Sequence, residues 1–86
     1  MIETITRELR GLPDWVLHEY FVKLGGLPQP DGSYAGEGWQ ARLTRLPDEK
    51  RGVMVFCVYH LEFSGEGEVL REVWPRFELK ILRPGG

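Results

Sequence analysis

The sequence predicts an α+β domain: an antiparallel β-sheet with two helices on one face, a plait of the ferredoxin-like kind or a relative of it. Three observations point there. The stretch Gly52–Ser64 (GVMVFCVYHLEFS) is rich in β-branched and aromatic residues and holds no proline, as a central strand requires. Pro13–Leu24 carries apolar residues at helical spacing between a proline start and a glycine stop. Trp39–Leu46 and Arg76–Leu82 alternate apolar and polar residues, the period of half-buried strands.

Along the chain, residues 1–10 fit either element. Ile2, Ile5, Leu9 and Leu12 recur as on a helix, whereas Thr4-Ile5-Thr6 favours a strand. We take a strand lying beside the central one. The helix 13–24 begins with Pro13, whose missing N–H costs nothing in a first turn. Asp14 and Lys23 suit its dipole, and Gly25 can adopt the left-handed conformation that ends it. Leu17, Tyr20, Phe21 and Leu24 form the stripe expected to lie on the sheet. Trp15 and Val22 fall on another face, around His18 and Glu19.

Residues 25–38 (GGLPQPDGSYAGEG) read as a long Gly/Pro loop. The strand 39–46 and the central strand are expected to form a hairpin through the charged turn 47–52. Gly65–Trp74 reads as a short helix that Pro75 ends, followed by the strand 76–82 and a flexible tail, 83–86. The 86 residues make one domain with a single core.

Composition bounds the function. A net charge of −2 with mixed signs excludes the basic field of a nucleic-acid or anionic-membrane binder. One cysteine forms no internal disulfide, and no apolar run spans a bilayer, so a reducing, cytoplasmic location is expected. The chain has no Asn and prefers Arg to Lys, which fits a thermophilic or GC-rich source.

Few residues announce chemistry. The glycines of 25–38 lack the following Lys-Ser/Thr and helix that a phosphate cradle needs. Cys57 and His60 sit an odd offset apart on one strand and so face opposite ways. His18 lacks the second histidine of HExxH, since Val22 stands there. A metal or catalytic site would require the fold to bring His18, His60 and a carboxylate together. Nothing nominates catalytic residues, and no cofactor or metal is expected. The leading expectation is a non-enzymatic binding domain. Its surface would use Trp15, His18 and Val22 from the helix, Tyr34 and Trp39 from the loop and its exit, and Arg42 and His60 as polar contacts. The expected partner is another protein or a second copy, since a short chain has a thin margin of burial.

The C-terminal Gly85-Gly86 offers an alternative. Residues 78–86, read as a strand running into a diglycine end, resemble the tail of ubiquitin-like sulfur carriers and modifiers, whose diglycine is adenylated and then thiocarboxylated or conjugated. The remaining order departs from that fold, which opens with a hairpin before its helix, and Pro84 interrupts the usual Arg-Gly-Gly run.

Leu9-Arg10-Gly11-Leu12-Pro13, Leu17, Tyr20, Leu24-Gly25-Gly26, Gly36-Glu37-Gly38-Trp39 and Leu82-Arg83-Pro84-Gly85-Gly86 carry a wider likeness. Over most of its length the chain resembles a small domain of unknown function from thermophilic bacteria. That domain also forms the C-terminal part of proteins whose N-terminal half resembles MoaD, the small subunit of molybdopterin synthase. The resemblance implies a compact α+β fold of the TBP-like or plait kind, no assigned activity, and a link to molybdenum-cofactor or sulfur-transfer proteins.

Overall fold

A computed structural model describes residues 1–81. The elements are β1 (Ile2–Arg10), α1 (Asp14–Lys23), β2 (Leu27–Pro28), β3 (Tyr34–Gly36), β4 (Trp39–Arg51), β5 (Met54–Glu66) and α2 (Gly67–Ile81). All strand pairs are antiparallel, in the order β1-β5-β4-β3-β2. The long strand around residues 54–66 is therefore interior, flanked by β4 and β1, although β4 holds the middle place; β1 lies beside β5, pairing Ile5 with Phe63 and Leu9 with Tyr59.

Alternation sorts the sheet into two faces. Leu9 on β1, Ala41 on β4 and Tyr59, Leu61 and Phe63 on β5 are buried on one face, where Leu17 and Phe21 of α1 meet Leu70 and Phe77 of α2. Both helices cover this face. The even-numbered residues of β5 from His60 to Ser64 lie on the other face with Thr4, Thr6 and Glu8 of β1.

Three expectations are corrected. First, α2 does not stop at Pro75; it runs through the proline to Ile81, and residues 76–81 are helical rather than a strand. Phe77, Leu79 and Ile81 alternate, but Leu70, Val73, Trp74, Phe77 and Ile81 also form a helical stripe. A proline inside a helix costs about 3 kcal/mol. Complete burial of Phe77 contributes about 1.5–3 kcal/mol, and packing of Ile81 against the same core adds to it, which offsets the cost. Leu79, off this stripe, is exposed.

Second, residues 25–38 are not one long loop. They hold β2 and β3, which pair Leu27 with Ala35 and Pro28 with Tyr34 and extend the sheet from β4. The Asp31 carboxylate closes the turn by accepting bonds from the Ser33 amide (2.9 Å) and hydroxyl (2.6 Å). Third, the described order is β-α-β-β-β-β-α, not the β-α-β-β-α-β order of the expected plait.

The hairpin of β4 and β5 is longer than expected. Pro47 and Asp48 together oppose Cys57, a bulge that accommodates a residue with no N–H to donate. Beyond it the ladder continues to Arg51–Met54, closed by Gly52 and Val53. Gly52 has φ 61°, and among the described residues no non-glycine has positive φ, so Val53 does not, which is the pattern of a type II′ turn. The tip projects past β1, so Val53 is 99% exposed, with Met54 and Val55 exposed beside it.

Candidate functional site

The outer face of α1 is set by the packing of its inner face. Leu17 and Phe21 are fully buried, which turns Trp15, His18, Glu19 and Val22 outward on the opposite stripe. Pro13 is the N-cap rather than the first helical residue; its backbone is extended, and no side chain caps the helix. Asp14 and Lys23 complement the dipole, and Lys23 pairs with Glu19 at 3.1 Å. Gly25, at φ 96°, stops the helix as expected. Trp15 is 66% exposed and Val22 45%.

His18 is the polar centre of this stripe. Its Nδ1 shares a 2.8 Å hydrogen bond with the Tyr34 hydroxyl, and the two rings meet edge-on at 5.5 Å. Tyr34 is buried against Phe21, with ring centroids 4.8 Å apart. Burial first, and then the negative charge of Asp14, push its phenol above the usual tyrosine value. The phenol therefore stays neutral and free to donate, and it anchors β3 to α1.

Trp39, although placed with the binding residues in sequence terms, is a core residue. It is 5% exposed and stacks on Phe63 at 5.0 Å, with planes 9° apart. A Cβ at Gly36 would fall inside its indole, and one at Gly26 would meet the far edge of the ring. The glycines of 25–38 thus serve close packing on Trp39, which accounts for the GEGW run without a ligand.

Arg42 and His60 lie on the sheet face opposite the helices. Arg42 reaches Asp31 at 3.3 Å, and His60 approaches Glu62 at 3.8 Å. The structure therefore divides the seven sequence-selected residues. Trp15, His18 and Val22 share one surface, with Tyr34 supporting it from below. Trp39 belongs to the core, and Arg42 and His60 belong to the far face. His18 and His60 are separated by the sheet, so they form no joint site. Among the described residues, no group of His, Cys, Asp or Glu is arranged to hold a metal ion. Gly85 and Gly86 lie outside the described residues.

Two exposed features escaped sequence reasoning. One is the apolar hairpin tip, Val53 to Val55, whose exposure depends on how far β1 extends. The other is the edge of β1, unpaired among the described residues, with a groove of about 260 Å³ between it and α2, lined by Glu3, Ile5, Gly67, Leu70, Arg71, Trp74 and Pro75. The alternation of β1 was the available signal, but strand order decides which strand is an edge. No helix among the described residues is long and apolar enough to cross a membrane.

No curated protein matches the sequence. A family model described as archaeal MoaD-like protein matches residues 5–86. That match takes in nearly the whole chain, and the chain belongs to the archaeal MoaD-like protein family.

Proposed function

We propose that this chain is a non-enzymatic interaction domain acting with molybdenum-cofactor or sulfur-carrier proteins, and that the outer face of α1 is its contact surface. The carrying observation is Trp15, two-thirds exposed on a helix whose inner face is fully packed. Trp15, His18 and Val22 offer an aromatic anchor, a fixed polar group and an aliphatic neighbour, the mixture that interface cores favour. The family supports the class of partner. Cytoplasmic action in a thermophilic organism fits this reading, as do the unpaired cysteine and the absence of Asn. Capture assays with purified molybdenum-cofactor and sulfur-transfer proteins test it. Wild type should bind one of them and Trp15→Ala should not, while both stay folded. Equal binding by the two would overturn the assigned surface.

A second reading, sulfur carriage through the C-terminal carboxylate of Gly86, is favoured by the family match, which extends through Gly85 and Gly86. In that chemistry the carboxylate attacks ATP and displaces pyrophosphate, and a sulfur donor then displaces AMP to leave a thiocarboxylate. The element preceding the tail is α2, not the strand that the sulfur-carrier comparison assumed. Intact-mass measurement after incubation with an adenylating enzyme, ATP and a sulfur donor decides it. Exchange of one oxygen for one sulfur supports carriage, and an unchanged mass rejects it.

A further inference from the structure

The outer edge of β1, unpaired among the described residues, carries a self-complementary pattern. Gly11 N–H donates to the Cys57 carbonyl (2.9 Å), and Gly67 N–H donates to the Met1 carbonyl (3.3 Å). In the β1–β5 register these bonds make the odd-numbered residues of β1 the ones that bond to β5. The N–H and C=O groups of Ile2, Thr4, Thr6, Glu8 and Arg10 therefore point away from the sheet, with no backbone partner among the described residues.

On the helix-covered face of this strand, Glu3 and Arg7 flank Ile5. Arg7 pairs with Glu78 of α2 at 3.0 Å and lies over the Trp74 ring at 5.1 Å. Glu3 lies 4.0 Å from Arg71 of α2. The edge thus presents a negative-then-positive order on the strand and the reverse order on the helix behind it.

We infer that β1 is the contact strand of a two-fold homodimer, in which Glu3 of each copy faces Arg7 of the other. Two copies of an edge strand related by a two-fold axis run antiparallel, and residues directly opposite must share a face. With Ile5 opposite Ile5, the outward groups of Thr4 meet those of Thr6, and those of Ile2 meet those of Glu8. Made twice over, these pairs supply about eight N–H···O bonds. Ile5–Ile5 and both Glu3–Arg7 pairs then occupy the closely spaced, non-hydrogen-bonded positions, where cross-strand side chains interact best. The same rotation turns Arg71 toward Glu78 of the second copy and covers the groove between β1 and α2.

Charge selects this register. Centring on Thr6 sets Ile5 against Arg7, and centring on Arg7 sets two guanidinium groups together. Centring on Thr4 sets Glu3 against Ile5. Only the register centred on Ile5 matches opposite charges and keeps the apolar residue with its own kind. The product is one continuous sheet with all four helices on the same side.

Light scattering and sedimentation over a concentration series test the inference. Wild type should be a dimer. Glu3→Arg and Arg7→Glu each place like charges opposite one another twice, and each should weaken self-association about tenfold or more. An equimolar mixture of the two variants restores both opposite-charge pairs and should recover the dimer, a rescue that misfolding could not produce. Thr6→Pro removes an outward N–H while leaving the β1–β5 bonds, and should give a folded monomer. If Thr6→Pro fails to fold, the mixing experiment decides. A monomeric wild type, a dimer indifferent to the charge reversals, or weakened variants that do not recover on mixing would overturn it. Partner binding through α1 is read separately with Trp15→Ala, so either idea can fail alone.

Discussion

Phe77 of α2 stacks on Phe21 of α1, with ring centroids 4.9 Å apart and planes 6° from parallel. Both rings are fully buried, and Phe77 also stacks on Phe63 of β5 at 6.1 Å. This contact joins the two helices and holds the half of α2 beyond Pro75. Phe77→Ala should cost about 3–5 kcal/mol in urea unfolding. A loss below about 1 kcal/mol would mean that Phe77 is not packed between Phe21 and Phe63.

Trp15→Ala should behave in the opposite way. The side chain is mostly in water, so unfolding stability should change by no more than about 0.5 kcal/mol. Calorimetry on the two proteins measures it. A large drop in melting temperature would make Trp15 a core residue and remove the contact surface proposed for α1.

Gly65 on β5 backs onto the start of β4. A Cβ there would collide with the Gly38 carbonyl and with the backbone of Trp39. Gly65→Ala should destabilise the domain by about 1–3 kcal/mol, and indole fluorescence should report displacement of Trp39. Gly32→Ala is a contrasting control: nothing lies near its Cβ, so its cost arises from the left-handed backbone alone.

Acid stability should follow Asp31 and Glu49. Hydrogen bonds from Ser33 hold the Asp31 carboxyl below the usual aspartate value, and the Arg10 guanidinium does the same for Glu49. A depressed folded-state value means that the unfolded chain binds the proton more readily. The contribution is therefore fully present above the ordinary carboxylate range and is lost as pH falls through the folded-state values. Urea midpoints measured from about pH 6 downward should fall, and Asp31→Asn should flatten part of that fall. An identical slope in the variant would show that the turn of residues 29–33 contributes nothing to acid sensitivity.

The parts legible in the sequence were those where one period dominates. β5 opens as an unbroken β-branched and aromatic run and alternates from Tyr59 to Ser64, α1 carries a clean helical stripe between Pro13 and Gly25, and β4 alternates from Trp39. Residues 76–81 were illegible because Phe77 and Ile81 belong to both a period of two and a period near four, and Pro75 tipped the balance locally. Burial between Phe21 and Phe63 tips it back, and no local window contains those partners. The binding residues separated for a similar reason. Trp39 and Tyr34 are aromatic and sit near glycines, as surface residues often do, but their burial comes from α1 and β5. The outward stripe of Trp15, His18 and Val22 could be read in advance because a helix with a filled inner face leaves only one place for it.

The position of β1 at the rim, paired with β5, also orders events in time. β4 and β5 can close through a two-residue turn as soon as both exist, whereas Leu9 must wait for Tyr59. On a ribosome that wait is of the order of seconds. Throughout it, the first ten residues are made but have no strand to join. The nascent chain therefore passes through a stage in which its N-terminal segment is exposed to chaperones and to its neighbours on the same message.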